Sequence, residues 1–229
     1  MSDKAPAWHS EDLGEIAPRI LGELQEVKII RGRPVVAVDA DEVLVHFASH
    51  FAEYCEDRGN QFSLTEYSLD SALRGPDGEA LTREQILPLI WGFIDEQTRW
   101  QRAIQGAASA MASLGKDAQV VVLTNAPFKV RDQRIANLAD HGISFPVVMN
   151  EGGKGRALHW LQDQADAPVA FVDDSPKQIA SAAKHAPDVA RFHLVGCEML
   201  KPIVAKSDDA THHPHDWAEA EAEIRDHLL

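Results

Sequence analysis

Only two cysteines, Cys55 and Cys197, occur in 229 residues. They share no paired motif and no secretory context, which excludes a disulfide framework and leaves two buried thiols without an assigned role as the expectation. Basic residues are also scarce: 22 Lys and Arg stand against 36 Asp and Glu, a net charge of −14. That balance argues against a broad basic footprint for a nucleic-acid polymer or an anionic membrane. No apolar run approaches the roughly 20 residues of a membrane span, and Met1 to Glu15 lacks the basic-then-apolar pattern of a secretory signal. A cytoplasmic protein acting on a small molecule is the expectation, and the sequence is silent on its oligomeric state.

What is present is sharply placed. The stretch Val35-Val36-Ala37-Val38 runs into Asp39-Ala40-Asp41-Glu42-Val43-Leu44. Four small or β-branched apolar residues in a row predict a strand buried on both faces. Its two carboxylates then emerge at the strand's carboxyl end, where open α/β sheets place their ligands. A turn in which these side chains cap backbone groups would explain the pair about as well when it is taken alone.

Around this stretch the chain divides into segments. Residues 1–33 predict a helical extension, amphipathic from about Glu11 to Val27 with Ile16, Ile20, Leu21 and Leu24 on one side. Residues 46–103 have helical periodicity without a convincing buried strand, punctuated by Gly59 and the turn Gly75-Pro76-Asp77-Gly78. Thr82 and Gln85 have capping-box spacing before Ile86, Leu89, Ile90 and Phe93. Past Gly106 the order becomes regular: a helix to Leu114, a strand Gln119 to Thr124, a helix from Pro127 to about His141, and a strand Pro146 to Met149. A helix Gly155 to Gln164, a strand Val169 to Asp173, a helix Pro176 to His185 and a strand Ala190 to Val195 follow. Strands alternating with helices predict a doubly wound parallel α/β sheet over 34–45 and 104–205, with 46–103 as an inserted helical cap. Residues 206–229 form a loop and a closing helix.

Polar groups fall at the ends of these strands: Asp39 and Asp41, Thr124 with Asn125, and Asp173 with Asp174, while Lys154 precedes a helix. Gly152-Gly153-Lys154-Gly155 is not a nucleotide-binding P-loop, because the upstream glycine is missing and Gly155 stands where Ser or Thr belongs. Lys129 and Lys177 could supply the same charge as Lys154. Several carboxylates converging on one crevice repel one another unless a cation is present. Mg²⁺, which prefers oxygen ligands and keeps several waters, suits Asp39, Asp173 and a backbone carbonyl at Asp41. Ser175, Pro176 and Gln178 mark a helix start whose positive end faces the anionic site. His212, His213 and His215 lack fixed spacing and read as surface histidines. Phe47, Phe51 and Tyr54, like Trp91 with Phe93, read as packing within the insertion; Phe47, nearest Asp41, is the one with a case for touching substrate.

Taken in order, the segments ending in Asp39-Ala40-Asp41, Thr124-Asn125, Lys154 and Asp173-Asp174 resemble the four motifs of the haloacid dehalogenase superfamily, across about residues 34–195. The resemblance implies Mg²⁺-dependent phosphoryl transfer through an aspartyl-phosphate. In that scheme Asp39 is the nucleophile and Asp41 the general acid and base. Thr124, Asn125 and Lys154 hold the phosphoryl group, and Asp174 orients Lys154 or metal-bound water. Relatives that cleave carbon–halogen bonds lack the acid two residues after the nucleophile, so Asp41 implies a phosphatase or phosphomutase. A narrower resemblance, to 5'(3')-deoxyribonucleotidases, rests on Asp-x-Asp-x-Val-Leu, Phe47 and Thr124-Asn125-Ala126-Pro127-Phe128-Lys129. Glu42 replaces the glycine common there. The expected activity is hydrolysis of a small phosphomonoester such as a nucleoside monophosphate. A sugar-phosphate phosphatase or phosphotransferase is the alternative, and a catalytically silent binding protein of the same fold is the rival of another class.

Overall fold

The computed structural model describes residues 15–64 and 72–228. Among them lie seven strands: β1 (Val35–Val38), β2 (Gln61–Phe62), β3 (Leu73–Arg74), β4 (Gln119–Thr124), β5 (Val147–Met149), β6 (Val169–Asp173) and β7 (Ala190–His193). The helices are α1 (Pro18–Glu26), α2 (Ala48–Glu56), α3 (Arg83–Gln97), α4 (Ala107–Leu114), α5 (Arg131–Asp140), α6 (Gly155–Ala165), α7 (Pro176–His185) and α8 (Trp217–Leu228). Five strands form a parallel sheet in the order β5-β4-β1-β6-β7. The chain thus builds outward from β1 on one side, then returns to lay β6 against its other edge. That reversal opens a crevice beside the carboxyl end of β1.

The unbroken apolar run of β1 has two faces because successive side chains alternate. Val36 and Val38 join Val120, Val122 and Val172 in a cluster with Met111 of α4 and Trp217 and Ile224 of α8. Val35 and Ala37 join Val121, Leu123, Val169 and Phe171 in a second cluster with Leu24 of α1, Leu158 and Leu161 of α6 and Ile179 of α7. Helices therefore cover both faces, as the doubly wound pattern requires. Phe51 and Phe93 of the inserted segment belong to the first cluster, so the insertion packs onto the same core. Cys55 and Cys197 are free and buried.

Several boundaries move. The N-terminal helix begins at Pro18, and the part expected over Glu11 to Gly14 lies outside the described residues. The strand expected to Val195 ends at His193. The helix expected from Pro127 opens as a single 3₁₀ turn over Phe128–Val130 before α5 begins. Within the insertion, β2 and β3 pair antiparallel, Phe62 opposite Leu73. Strands of two residues are too short to carry a period, which hid them in the sequence. Thr82 caps α3 as its spacing predicted, its N–H donating to Gln85 Oε1 at 2.9 Å.

Gly155 sets how closely α6 approaches α7. A Cβ there would lie 2.0 Å from the Ser181 carbonyl oxygen, a backbone atom that cannot swing aside. Gly155→Ala is expected to destabilise the protein by about 3 kcal/mol, read as a fall of roughly 6–12 °C in the thermal midpoint. An unchanged midpoint would show that the two helices can part freely.

Candidate active site

Strand register brings the motif residues together. Val38 pairs with Val122 of β4 and with Val172 of β6, so the chain leaves β1 at Asp39 level with the last residues of both neighbours. Asp39 N–H still donates to Val172 O at 2.9 Å, which fixes the start of the loop. The loop then folds back tightly: Leu44 and Val45 N–H both donate to Ala40 O at 2.9 Å, and Glu42 N–H donates to Val45 O at 2.7 Å. Glu42 takes a left-handed φ of 62°, the conformation for which glycine is the usual residue. The buried Glu42 carboxylate is anchored in return, accepting from Ala48 N–H and, at 3.2 Å, from Phe47 N–H at the start of α2. Burial pushes its pKa up to about 7.

Lys154 is the hub of the charge arrangement. Its Nζ lies 2.6 Å from Asp39 Oδ1 and 2.6 Å from Asp173 Oδ2. The residue is 1% exposed, and Gln178 Oε1 accepts its backbone N–H at 2.9 Å. Burial works against its charge, yet the Asp173 and Asp39 carboxylates outweigh it and raise the lysine's pKa. Asp173 Oδ1 accepts Ser175 N–H at 2.9 Å, at the N-terminus of α7. Asp39 is pushed up to about 7, mainly by burial; Lys154 opposes the shift, while Asp173 and Asp41 reinforce it.

Oxygens of Asp39, Asp173 and Asp174 lie within 4.8 Å of one another. Asp174, expected from the resemblance to act from behind, therefore stands level with the other two. The Asp41 carboxylate does not join this cluster. Its Oδ1 accepts from Arg134 Nη2 of α5 at 2.6 Å and from Gln101 Nε2 of the insertion at 3.3 Å. The same Gln101 Nε2 donates to His46 O at 3.0 Å, and Asn137 Nδ2 holds Gln101 O at 2.7 Å.

Thr124 is fully buried, and its Oγ1 accepts Ala126 N–H at 3.3 Å. Asn125 is braced by Asn150 Nδ2 at 2.9 Å and donates to Gly152 O at 2.8 Å, tying the end of β4 to the loop that carries Lys154. Lys129 is engaged elsewhere, 2.6 Å from Asp95, and Lys177 is exposed. His212 stacks on Phe192 at 4.3 Å, and the cluster of Asp39, Asp173 and Asp174 includes none of His212, His213 and His215.

Sequence reasoning missed Arg134, Gln101 and the role of Gln178. Arg134 had a signal, a charge on the inward stripe of α5 between Val130 and Leu138, where an apolar residue belongs. Gln178 follows Ser175 at capping-box spacing, but its side chain serves Lys154 N–H and Gly152 O instead of reaching back to the cap.

A cavity of about 490 Å³ is lined by Asp39, Asp41, Lys154, Asp173 and Asp174. Its lining also includes the apolar side chains of Phe47, Leu64, Ile86, Ile90, Ile94 and Leu200, with Arg83 and Lys177. Phe47 meets Phe93 edge-on at 5.0 Å, so it both packs the insertion and faces the cavity.

No family model matches the sequence, and no curated protein matches it. Solved structures do. A haloacid dehalogenase family hydrolase from Deinococcus radiodurans R1, with bound phosphate and sodium, superposes at a TM-score of 0.61 and 15% identity, over 87% of this chain and 99% of that one. A predicted phosphoglycolate phosphatase from Haemophilus somnus gives 0.57 and 16%, over 86% and 99%. An L-2-haloacid dehalogenase gives 0.54 and 14%, over 84% and 100%. The chain has the fold of the haloacid dehalogenase-like hydrolases. The fold is shared by phosphatases and dehalogenases, so the reaction must be argued from side chains.

Proposed function

We propose that the protein is a Mg²⁺-dependent phosphomonoesterase that works through an aspartyl-phosphate on Asp39. The observation that carries this reading is the division of labour at the end of β1: Lys154 Nζ bridges Asp39 and Asp173, 2.6 Å from each and with Asp174 in the same cluster, while Asp41 is held apart by Arg134 at 2.6 Å. A nucleophile and a separate proton carrier are what two-step phosphoryl transfer needs, whereas displacement of halide has no use for the second acid.

The donor set fits a hard divalent cation. Oxygens of three carboxylates lie within 4.8 Å of one another, and the Lys154 ammonium that touches Asp39 and Asp173 supplies a single positive charge against them. Asp39, Asp173, Asp174 and the Asp41 carbonyl would hold Mg²⁺, which supplies charge neutralisation of the phosphoryl oxygens. The protein's own groups do the rest. Asp39 attacks phosphorus and the bond to the ester oxygen breaks. Asp41 gives that oxygen a proton, then takes one from the water that cleaves the acyl phosphate, regenerating Asp39 and releasing phosphate. Lys154, Asn125 and the N-terminus of α7 stabilise the charge spread over the transferring group, with Thr124 bracing the turn behind them. Arg134 and Gln101 keep Asp41 in place for both proton transfers.

The inserted segment serves as a cap that encloses substrate and limits bulk water. Its apolar wall, with Phe47 and Ile86, suits a substrate with a flat or apolar moiety, which favours a nucleoside monophosphate over a sugar phosphate. Assay of the purified protein against both classes, with Mg²⁺ and with chelator, tests this. Metal-independent turnover would contradict the mechanism, and a preference for sugar phosphates would move the substrate class.

Asp41→Asn separates the two chemical steps. An aryl phosphate has a leaving group that departs without a proton, so the first step is expected to survive while the second falls by about 10²–10⁴-fold. The expected trace is a burst of one phenolate per active site followed by slow turnover. Linear product formation at the natural rate would show that Asp41 moves no proton.

A further inference from the structure

A second group of ligand-type side chains lies behind the nucleophile loop and shares no residue with the Asp39, Asp173 and Asp174 cluster. Glu42, His46 and Cys197 place a carboxylate oxygen, a ring nitrogen and a sulfur all within 4.8 Å of one another. Glu42 is 5% exposed and Cys197 2% exposed. The Glu42 carboxylate uses one oxygen to cap α2. Its other oxygen, Oε2, is buried, and the Cys197 thiol is hydrogen-bonded to this carboxylate. His46 Nδ1 is buried with no hydrogen-bond partner among the described residues, which is costly unless something else meets it. Backbone N–H groups of Met199 and Leu200 are directed at the sulfur, while burial, chiefly, and the neighbouring Glu42 carboxylate push the thiol's pKa up to about 11. The backbone locks the two halves together, Gly196 N–H donating to Glu42 O at 2.7 Å, with no room for a side chain on Gly196.

From this geometry we infer that Glu42, His46 and Cys197 form a binding site for a borderline-soft divalent cation of the Zn²⁺ class. One sulfur, one nitrogen and one oxygen are the ligand types such an ion takes, while Mg²⁺ and Ca²⁺ prefer oxygen alone. Three protein ligands leave a fourth position for water. Binding releases the Cys197 thiol proton to solvent, and the sulfur donates its freed electron pair to the metal. The site ties the loop carrying Asp41 to the segment after β7, and so braces the proton carrier from outside the reaction centre. It also gives a role to a glutamate at a left-handed position, whose carboxylate reaches both the start of α2 and Cys197.

Co²⁺ is a direct probe, because a thiolate ligand adds a near-ultraviolet charge-transfer band and four-coordinate geometry intensifies the visible bands. The full chain, stripped with chelator and titrated with Co²⁺, is expected to develop both with one equivalent, to lose them to Zn²⁺ and to keep them in excess Mg²⁺. Cys197→Ser is expected to abolish the charge-transfer band. His46→Ala, at a half-buried position, should weaken binding at least tenfold, about the loss seen when even an outer contact to a metal ligand is removed. Asp173→Asn should leave the spectrum intact. Absence of the band in the natural sequence, its persistence in Cys197→Ser, or its loss in Asp173→Asn would overturn the site.

Discussion

Asp39→Asn is expected to lower phosphomonoester turnover at least about a thousandfold while the protein still unfolds in one cooperative transition. An amide has the size of the carboxylate but neither its nucleophilicity nor its charge, so the covalent step is lost. The fold should tolerate the change because it removes one of the crowded acids at the end of β1, and Lys154 keeps its 2.6 Å contact with Asp173. Turnover in Asp39→Asn within about tenfold of the natural protein would mean that another group attacks phosphorus. Steady-state rates with Mg²⁺, beside circular dichroism of the same sample, decide the matter.

The second large effect concerns stability. Lys154→Met keeps the length of the side chain and removes the only cation that touches both Asp39 and Asp173 among the described residues. Both carboxylates are buried, at 7% and 0% exposure, so breaking the pair is expected to cost about 3–5 kcal/mol in chelator. That is a fall of roughly 6–20 °C in the thermal midpoint. In millimolar Mg²⁺ the gap should narrow, because an ion bound only by the folded state stabilises it by mass action and here replaces the missing charge. An identical loss with and without Mg²⁺ would show that Lys154 matters for packing rather than for charge. Turnover in Mg²⁺ should fall even where stability is restored, since the phosphoryl group loses its lysine.

How much of this was legible in the sequence depended on the range of the interaction. Strands β1, β4 and β6 were readable because each is a valine-rich run that ends at a polar residue, and burial on both sheet faces demands such a run. The acids at their ends could be located for the same reason. Thr82 and Gln85 were readable because a capping box is settled within four residues. Gln178 has the same local pattern after Ser175 but answers to Lys154, 24 positions away. Arg134 shows the limit most clearly: its charge on an apolar stripe is visible in the sequence, whereas its partner Asp41 is 93 positions earlier and known only from the fold. Glu42 could be seen to replace a glycine, but only the structure shows its φ of 62° and the helix start that its carboxylate holds.

These long-range contacts also separate the two acids that follow β1. Asp39 is set among cations and carboxylates in the floor of the crevice, whereas Asp41 is clamped by Arg134, Gln101 and, through Gln101, by Asn137. One strand end thus presents two carboxyl groups in different settings, which is what the proposed division between attack and proton transfer requires.

The central claim is that Asp39 becomes phosphorylated. Its most direct test is acid quenching of Asp41→Asn during turnover of an aryl phosphate, followed by proteolysis and mass spectrometry of the peptide that contains residues 39 to 41. One phosphoryl group on Asp39, removed by hydroxylamine as an acyl phosphate should be, is the predicted result. A phosphoryl group on any other residue, or none during a measured burst, would contradict it.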